Sequence, residues 1–229
     1  MKRTTAVIPA YNAEFTIGEI VKKTLPYVDE VIVVDDGSRD RTSEIARSLG
    51  AKVYTLVRNH GTGYATTFGL ESVWDSEVVV TLDSDGQHDP SEIPKLCKPI
   101  LDREADVVIG SRFIGLLGDI EKYWMPKYRR LGIDVITLAY NFGHKPITDA
   151  QCCFRAFRVS ELWKSLPLTH RFGFSTEMLI RARKHRLRIV EVPISCKYRG
   201  LKEDSTMNPI KHGISVLLDT IMWRVELLN

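Results

Sequence analysis

Short aliphatic runs recur along the first half of this chain, and each breaks off at a polar or acidic residue. Thr4 to Pro9, Glu30 to Asp35, Lys52 to Val57, Glu77 up to Asp83 and Asp106 to Gly110 are rich in Val, Ile and Thr. Such continuous runs suit strands buried on both faces of a parallel sheet. Between them lie helix-length stretches, one ending at about Leu25, one stopped by Gly50, one ending at about Ser72 and one opened by Pro90. Strand and helix alternating at this spacing predict an α/β fold, a mostly parallel sheet flanked by helices and joined by right-handed crossovers.

That topology has a consequence for chemistry. Tyr11, Asn12, Asp35, Asp36, Asn59, Asp83, Asp85 and Arg112 all follow strand ends, so they converge on one edge of one sheet, where open α/β sheets bind ligands. The segment Asp83-Ser-Asp85-Gly-Gln87-His-Asp89-Pro90 supplies hard oxygen donors at alternate positions, which suit Mg²⁺ or Mn²⁺. A calcium loop fits poorly, since His88 and Pro94 stand where its Gly and Glu belong. An isolated Asp-x-Asp more often marks a turn; the convergence favours the metal. Gly61-Thr-Gly63 is a weak dinucleotide signature, and no Walker sequence is present.

With 229 residues, 44% hydrophobic and 27% charged, the chain can bury one sizeable core. A net charge of +3 gives no sign of nucleic-acid binding. Cys97, Cys152, Cys153 and Cys196 lack paired metal-ligand spacing and read as reduced thiols. Neither a signal-peptide stretch nor a run of spanning length is evident, so a cytoplasmic location is expected.

Beyond Arg112 the texture changes. Phe113 to Phe142 mixes Tyr123, Trp124 and Tyr128 with Lys122, Lys127, Arg129 and Arg130. That composition fits a helix in a membrane interface and equally a helical excursion packed on its own domain. Asp149 to Phe157 reads as a loop and strand, Ser175-Thr-Glu177 as a helix cap, and Ile189 to Ile194 as another strand. Arg181 to Arg188 holds six basic residues in eight, which reads as a solvated helix end with anionic lipid as the lesser alternative. Pro209 to Leu228 carries Ile210, Ile214, Leu217, Ile221, Val225 and Leu228 on one helical stripe; it docks on the domain, on a partner or on a membrane surface.

Taken in order, several fragments resemble family 2 glycosyltransferases of GT-A fold, in their dolichyl-phosphate mannose synthase-like branch. They are Ile8-Pro9-Ala10-Tyr11-Asn12, Val33-Val34-Asp35-Asp36-Gly37-Ser38, Asn59-x-Gly61, Asp83-x-Asp85-x-Gln87-His88-x-Pro90, Gly110-Ser111-Arg112, Phe154-Arg155-Ala156-Phe157, Thr176-Glu177 and Glu191-Val192-Pro193. The resemblance runs from Thr5 to about Ser205. It implies a Rossmann-like GT-A domain over residues 1–205, with a nucleotide-sugar half (1–111) and an acceptor half (112–205), followed by an amphipathic helix over 206–229. By the same resemblance Pro9, Ala10, Tyr11, Asn12, Glu14, Asp35 and Asp36 line the nucleoside pocket. Asp83, Asp85 and Gln87 hold Mg²⁺ or Mn²⁺ and, through it, the diphosphate. Arg112, with Arg129 or Arg130, faces the phosphate of a polyprenyl (dolichyl) acceptor, and Arg199 and Lys202 belong to a basic loop closing over the donor. Ala13 intervenes where the family usually has Glu, which bears on the choice of base. Glu203-Asp204-Ser205-Thr206 replaces a basic motif, and Cys153 a glycine.

The activity implied is inverting transfer of one hexose from a GDP- or UDP-sugar to a lipid phosphate at the cytoplasmic face of a membrane. An anchoring subunit or a second copy are the further partners considered. A soluble acceptor, or a non-catalytic anchoring role, is the alternative. A hydroxyl acceptor would need a carboxylate base, for which Asp149 and Glu177 are the candidates.

Overall fold

The computed structural model describes residues 3–114, 125–167, 173–197 and 209–228. Its centre is a seven-stranded sheet in the order β3-β2-β1-β4-β6-β5-β7. The strands are β1 (Thr4–Ala10), β2 (Glu30–Asp35), β3 (Lys52–Thr55), β4 (Val78–Thr81), β5 (Val107–Ser111), β6 (Arg155–Arg158) and β7 (Ile189–Pro193). The aliphatic runs of β1, β4 and β5 are buried on both faces, as the sequence predicts for strands covered by helices on either side.

Helices α1 (Ile17–Thr24), α2 (Thr42–Ser48), α3 (Thr62–Glu71) and α4 (Ile93–Leu101) connect the first five strands. All pairings are parallel except those of β6, which lies antiparallel between β4 and β5. Periodicity cannot reveal this insertion, because strand direction is set by long-range pairing. It brings the start of β6, and the loop before it, to the edge where the other strands end. Gly37, at φ +75°, lets the turn after β2 pass the backbone of Arg58: an added Cβ would lie 2.6 Å from the Arg58 carbonyl carbon.

Three further helices follow, α5 (Lys127–Asn141), α6 (Phe174–Lys184) and α7 (Pro209–Leu228). α7 packs against α5 and α6. It does so through Val216, Asp219, Thr220 and Trp223, which are buried. The apolar stripe read from the sequence points the other way: Ile214, Ile221 and Val225 are exposed, together with Leu218. α5 behaves alike, burying Ile136, Thr137 and Tyr140 while exposing Leu131, Val135, Leu138 and Phe142. The carbonyls ending α5 are capped by arginines. Arg224 donates to Ala139 O and Tyr140 O, and Arg183 to Tyr140 O and Lys145 O. Within the basic cluster, then, Arg183 serves this cap and Arg188 pairs with Asp106, leaving Lys184, His185 and Arg186 to solvent.

Candidate active site

Two loops form one wall of the sheet edge. After β1, the backbone N–H groups of Asn12, Ala13 and Glu14 donate to Ser38 Oγ (2.8 Å), Thr42 Oγ1 (2.8 Å) and Asp40 Oδ2 (3.1 Å). Asn12 Oδ1 accepts from Arg39 N in return, and Asn12 itself takes the left-handed conformation (φ 49°) that its short amide tolerates. Tyr11 stands half exposed beside Pro9 and Ala10. Glu14 turns to the start of α2, where its carboxylate takes Arg41 N–H and faces the Arg41 guanidinium at 3.7 Å.

Asp35 and Asp36 sit inside this wall rather than on its surface, each only 2% exposed. Asp35 accepts from Ser38 N and Ser43 Oγ. Both oxygens of Asp36 are taken by backbone, His60 N at 2.8 Å and Gly61 N at 2.7 Å. Through these bonds the pair holds the β2–α2 and β3–α3 loops against each other.

Asp83 and Asp85 follow β4. Asp83 is half-buried, and its carboxyl is pushed up to about 7, first by burial and then by the charge of Asp85; Arg112 and Arg155 work against the rise. Asp85 is exposed and accepts Gln87 N–H at 2.9 Å, which folds the loop back on itself. Gln87 Oε1 lies 3.9 Å from Cys196 Sγ. Two like charges forced together, with an amide oxygen adjacent, form a donor set that fits a hard divalent cation. Among the described residues no three His, Cys, Asp or Glu side chains gather into a ready-made cage. Asp83, Asp85 and Gln87 offer oxygen donors, the ligand type that Mg²⁺ and Mn²⁺ take.

Arg112 follows β5 and is held by Asp149 in a bidentate pair, Nε to Oδ2 at 2.7 Å and Nη2 to Oδ1 at 2.9 Å. Asp149 is fully buried and also accepts the N–H groups of Gln151 and Cys152. Glu191 fixes the preceding turn by accepting from Thr148 N and Asp149 N. The Arg112 and Arg130 guanidiniums both sit against the ring of Phe113, at 5.4 and 3.6 Å from its centroid. Arg130 also pairs with Asp134. Arg129 lies on the same first turn of α5. Arg199 and Lys202, and the segment Glu203 to Thr206, lie outside the described residues.

Asp149 and Glu177, the two candidate bases, are 0% and 1% exposed, so neither meets an acceptor from solvent. The sequence reading passed over the positional roles of Glu191, His88 and Arg155. A lone charge within an apolar strand, as in Ile189-Val-Glu191-Val-Pro193 or Phe154-Arg155-Ala-Phe157, was the available signal.

His88 is buried, stacked on Phe154 with ring centroids 5.1 Å apart, its Nε2 3.7 Å from Cys152 Sγ. Burial, and then the charge of Arg112, push its pKa down to about 3. A folded value below the unfolded one means the unfolded chain binds the extra proton. The stability this group confers is full above about pH 6.5 and is lost as pH falls from there toward 3. Urea unfolding at about pH 5 should therefore show wild type about 2 kcal/mol weaker than at pH 6.5 on this account. His88→Gln should lose that part of the pH slope; an unchanged slope would refute the assignment. The four thiols are free, and burial raises all four above the ordinary thiol range, so they are poor nucleophiles.

A mixed α/β sheet of this kind, with an acidic pair at the end of an inner strand and a pinned arginine across the sheet edge, is the architecture of the GT-A fold glycosyltransferases. The chain belongs to glycosyl transferase family 2, whose family model matches residues 5–166. It is 35% identical to the UDP-N-acetylglucosamine–dolichyl-phosphate N-acetylglucosaminyltransferase of Methanococcus voltae, over 84% of each chain. It is 34% identical to the dolichyl-phosphate hexose transferase of Haloferax volcanii, over 92% of this chain and 89% of that one. Among solved structures it is similar to glucosyl-3-phosphoglycerate synthase from Mycobacterium tuberculosis in complex with Mn²⁺, UDP-glucose and phosphoglyceric acid. That likeness has a TM-score of 0.75 at 25% identity and covers 96% of this chain and 80% of that one.

Proposed function

We propose that this glycosyltransferase moves one hexose, with inversion, from a nucleotide diphosphate sugar to a polyprenyl phosphate, working from a membrane surface. One observation carries the choice of acceptor: the two carboxylates considered as bases for a hydroxyl, Asp149 and Glu177, are shut inside the protein, whereas Arg112 and Arg130 flank the ring of Phe113. A phosphate monoester has a second pKa near about 6, so at neutral pH it is largely dianionic and needs no base. It needs cations to bring it to an anionic donor, a role this reading assigns to Arg112, Arg130 and Arg129.

On the donor side, Pro9, Ala10, Tyr11 and Asn12 face the nucleoside, while Asp35, Asp36 and Glu14 shape the loops behind it. Asp83, Asp85 and Gln87 hold a divalent cation, Mg²⁺ or Mn²⁺, which when bound offsets charge developing on the departing nucleoside diphosphate. Arg199 and Lys202 keep their reading as a closing loop. The relatives named above act on dolichyl phosphate, and an undecaprenyl-phosphate mannosyltransferase of Micrococcus luteus is 32% identical over 88% of this chain. They support a lipid phosphate acceptor and leave mannose as one candidate sugar among several. The phosphoglyceric acid complex favours a second reading, a soluble phosphate-bearing acceptor.

No helix among the described residues is long and apolar enough to cross a membrane. The outward residues of α5 (Leu131, Val135, Leu138, Phe142) and of α7 (Ile214, Leu218, Ile221, Val225) follow one spacing on two helices packed together. We assign this double stripe to the bilayer interface, with the arginines at the start of α5 near the headgroups.

Incubation with GDP-mannose, UDP-glucose or UDP-N-acetylglucosamine, Mn²⁺, undecaprenyl phosphate and 3-phosphoglycerate should yield a glycosylated lipid phosphate by mass spectrometry, abolished by EDTA. Glycosylated phosphoglycerate alone would establish the soluble reading instead. The wild type should float with vesicles of anionic lipid, and the double variant Leu138→Glu, Ile221→Glu should stay at the bottom of the gradient while keeping its fold. Undiminished flotation of that variant would remove the two helices from the interface.

A further inference from the structure

Arg155 opens β6 and is one of the largest side chains that the fold buries completely. A guanidinium in that position normally meets a carboxylate, because an uncompensated buried charge costs several kcal/mol. Here its bonded partners are two main-chain carbonyls: Nη1 donates to Ser175 O at 2.6 Å and Nη2 to Ala150 O at 2.9 Å. Its Nε–H has no partner. With Asp83, Thr81 and Ser175 it lines a small cavity beneath the end of β4.

The two carbonyls belong to opposite sides of the site. Ser175 adjoins Phe174, whose ring packs on Gly63 so closely that an added Cβ would lie 3.1 Å from it. Gly63 follows the turn that Asp36 holds through Gly61 N–H, so this contact leads to the donor wall. Ala150 adjoins Asp149, the carboxylate that clamps Arg112. In the sheet, Arg155 lies between Thr81 of β4 and Ile109 of β5, the strands that deliver the acidic pair and Arg112. A single planar group with two parallel donors therefore joins the donor floor to the acceptor clamp.

We propose that Arg155 is a positioning residue, a buried strut whose two carbonyl bonds set the distance between the donor pocket and Arg112. The inference rests on the transferase reading and concerns turnover rather than affinity, since every side chain assigned to donor or acceptor binding is kept. A misplacement of about 1 Å between reacting groups costs on the order of a hundredfold in rate.

Arg155→Lys keeps the charge but replaces the rigid planar fork with a single ammonium; Arg155→Met loses both bonds. With transfer to undecaprenyl phosphate as the assay, well below the unfolding temperature, kcat should fall about tenfold in Arg155→Lys and about a hundredfold in Arg155→Met. The KM for each substrate should stay within about threefold of wild type, and thermal protection by the sugar nucleotide should persist. A residue that merely supports the fold would lower the unfolding temperature and leave kcat alone. The proposal is overturned by folded variants with kcat within about twofold of wild type, by a loss confined to the KM of one substrate, or by failure of both variants to fold. Should the wild type itself glycosylate no lipid phosphate, the transferase reading falls and takes this inference with it.

Discussion

Asp85→Ala is expected to reduce transfer by at least about a thousandfold, with the residual rate indifferent to added Mn²⁺. Asp85 is exposed, so its removal opens no cavity in the core. Burial first, and then the charge of Asp85, push the Asp83 carboxyl up to about 7, and a bound cation would relieve both. Asp85→Asn sharpens the test, because its amide oxygen can still accept the Gln87 N–H while the charge is gone. Without metal it should melt no lower than wild type, and added Mn²⁺ should no longer raise its melting temperature as it does for the parent. Full activity of either variant in EDTA would end the metal proposal.

Asp149→Ala should cost about 3–5 kcal/mol of stability, the largest single loss expected outside the aliphatic core. The substitution strips Arg112 of both guanidinium bonds and leaves the Gln151 and Cys152 amides without their acceptor. Chemical denaturation measures the loss directly; a change under about 1 kcal/mol would mean that the pair is not formed. Arg112→Ala separates structure from function on the same pair. It should weaken use of the lipid phosphate far more than protection by the sugar nucleotide, since the proposed function puts the residue on the acceptor side. Equal loss of both would place Arg112 in the donor pocket instead.

The sheet's edge was legible in the sequence because aliphatic runs are long, local signals and the residues ending them are fixed in place by parallel direction. Asp83, Asp85 and Arg112 fell out of that argument directly. Asp35 and Asp36 were located correctly at the edge, but whether a carboxylate faces outward or accepts a neighbouring loop's N–H depends on residues such as Gly61, 25 positions away from Asp36. The same limit hid Asp149, whose partner Arg112 is 37 residues distant. In α7 the difficulty was different. Its buried face carries Asp219 and Thr220 beside Val216 and Trp223, so the more apolar stripe is the one left outside, and only docking on α5 and α6 reveals it.

The reversed strand also governs the order in which the molecule can be completed. During synthesis β1 to β5 emerge first, yet β4 and β5 bond to each other nowhere, and each waits for β6 to fill the gap. Until Arg158 has left the ribosome, both strands carry a bare edge of unpaired amides, the surface on which nascent chains stick to one another. The seam between the acidic pair and Arg112 closes only when β6 enters it, so a chain made no further than β5 has no assembled centre.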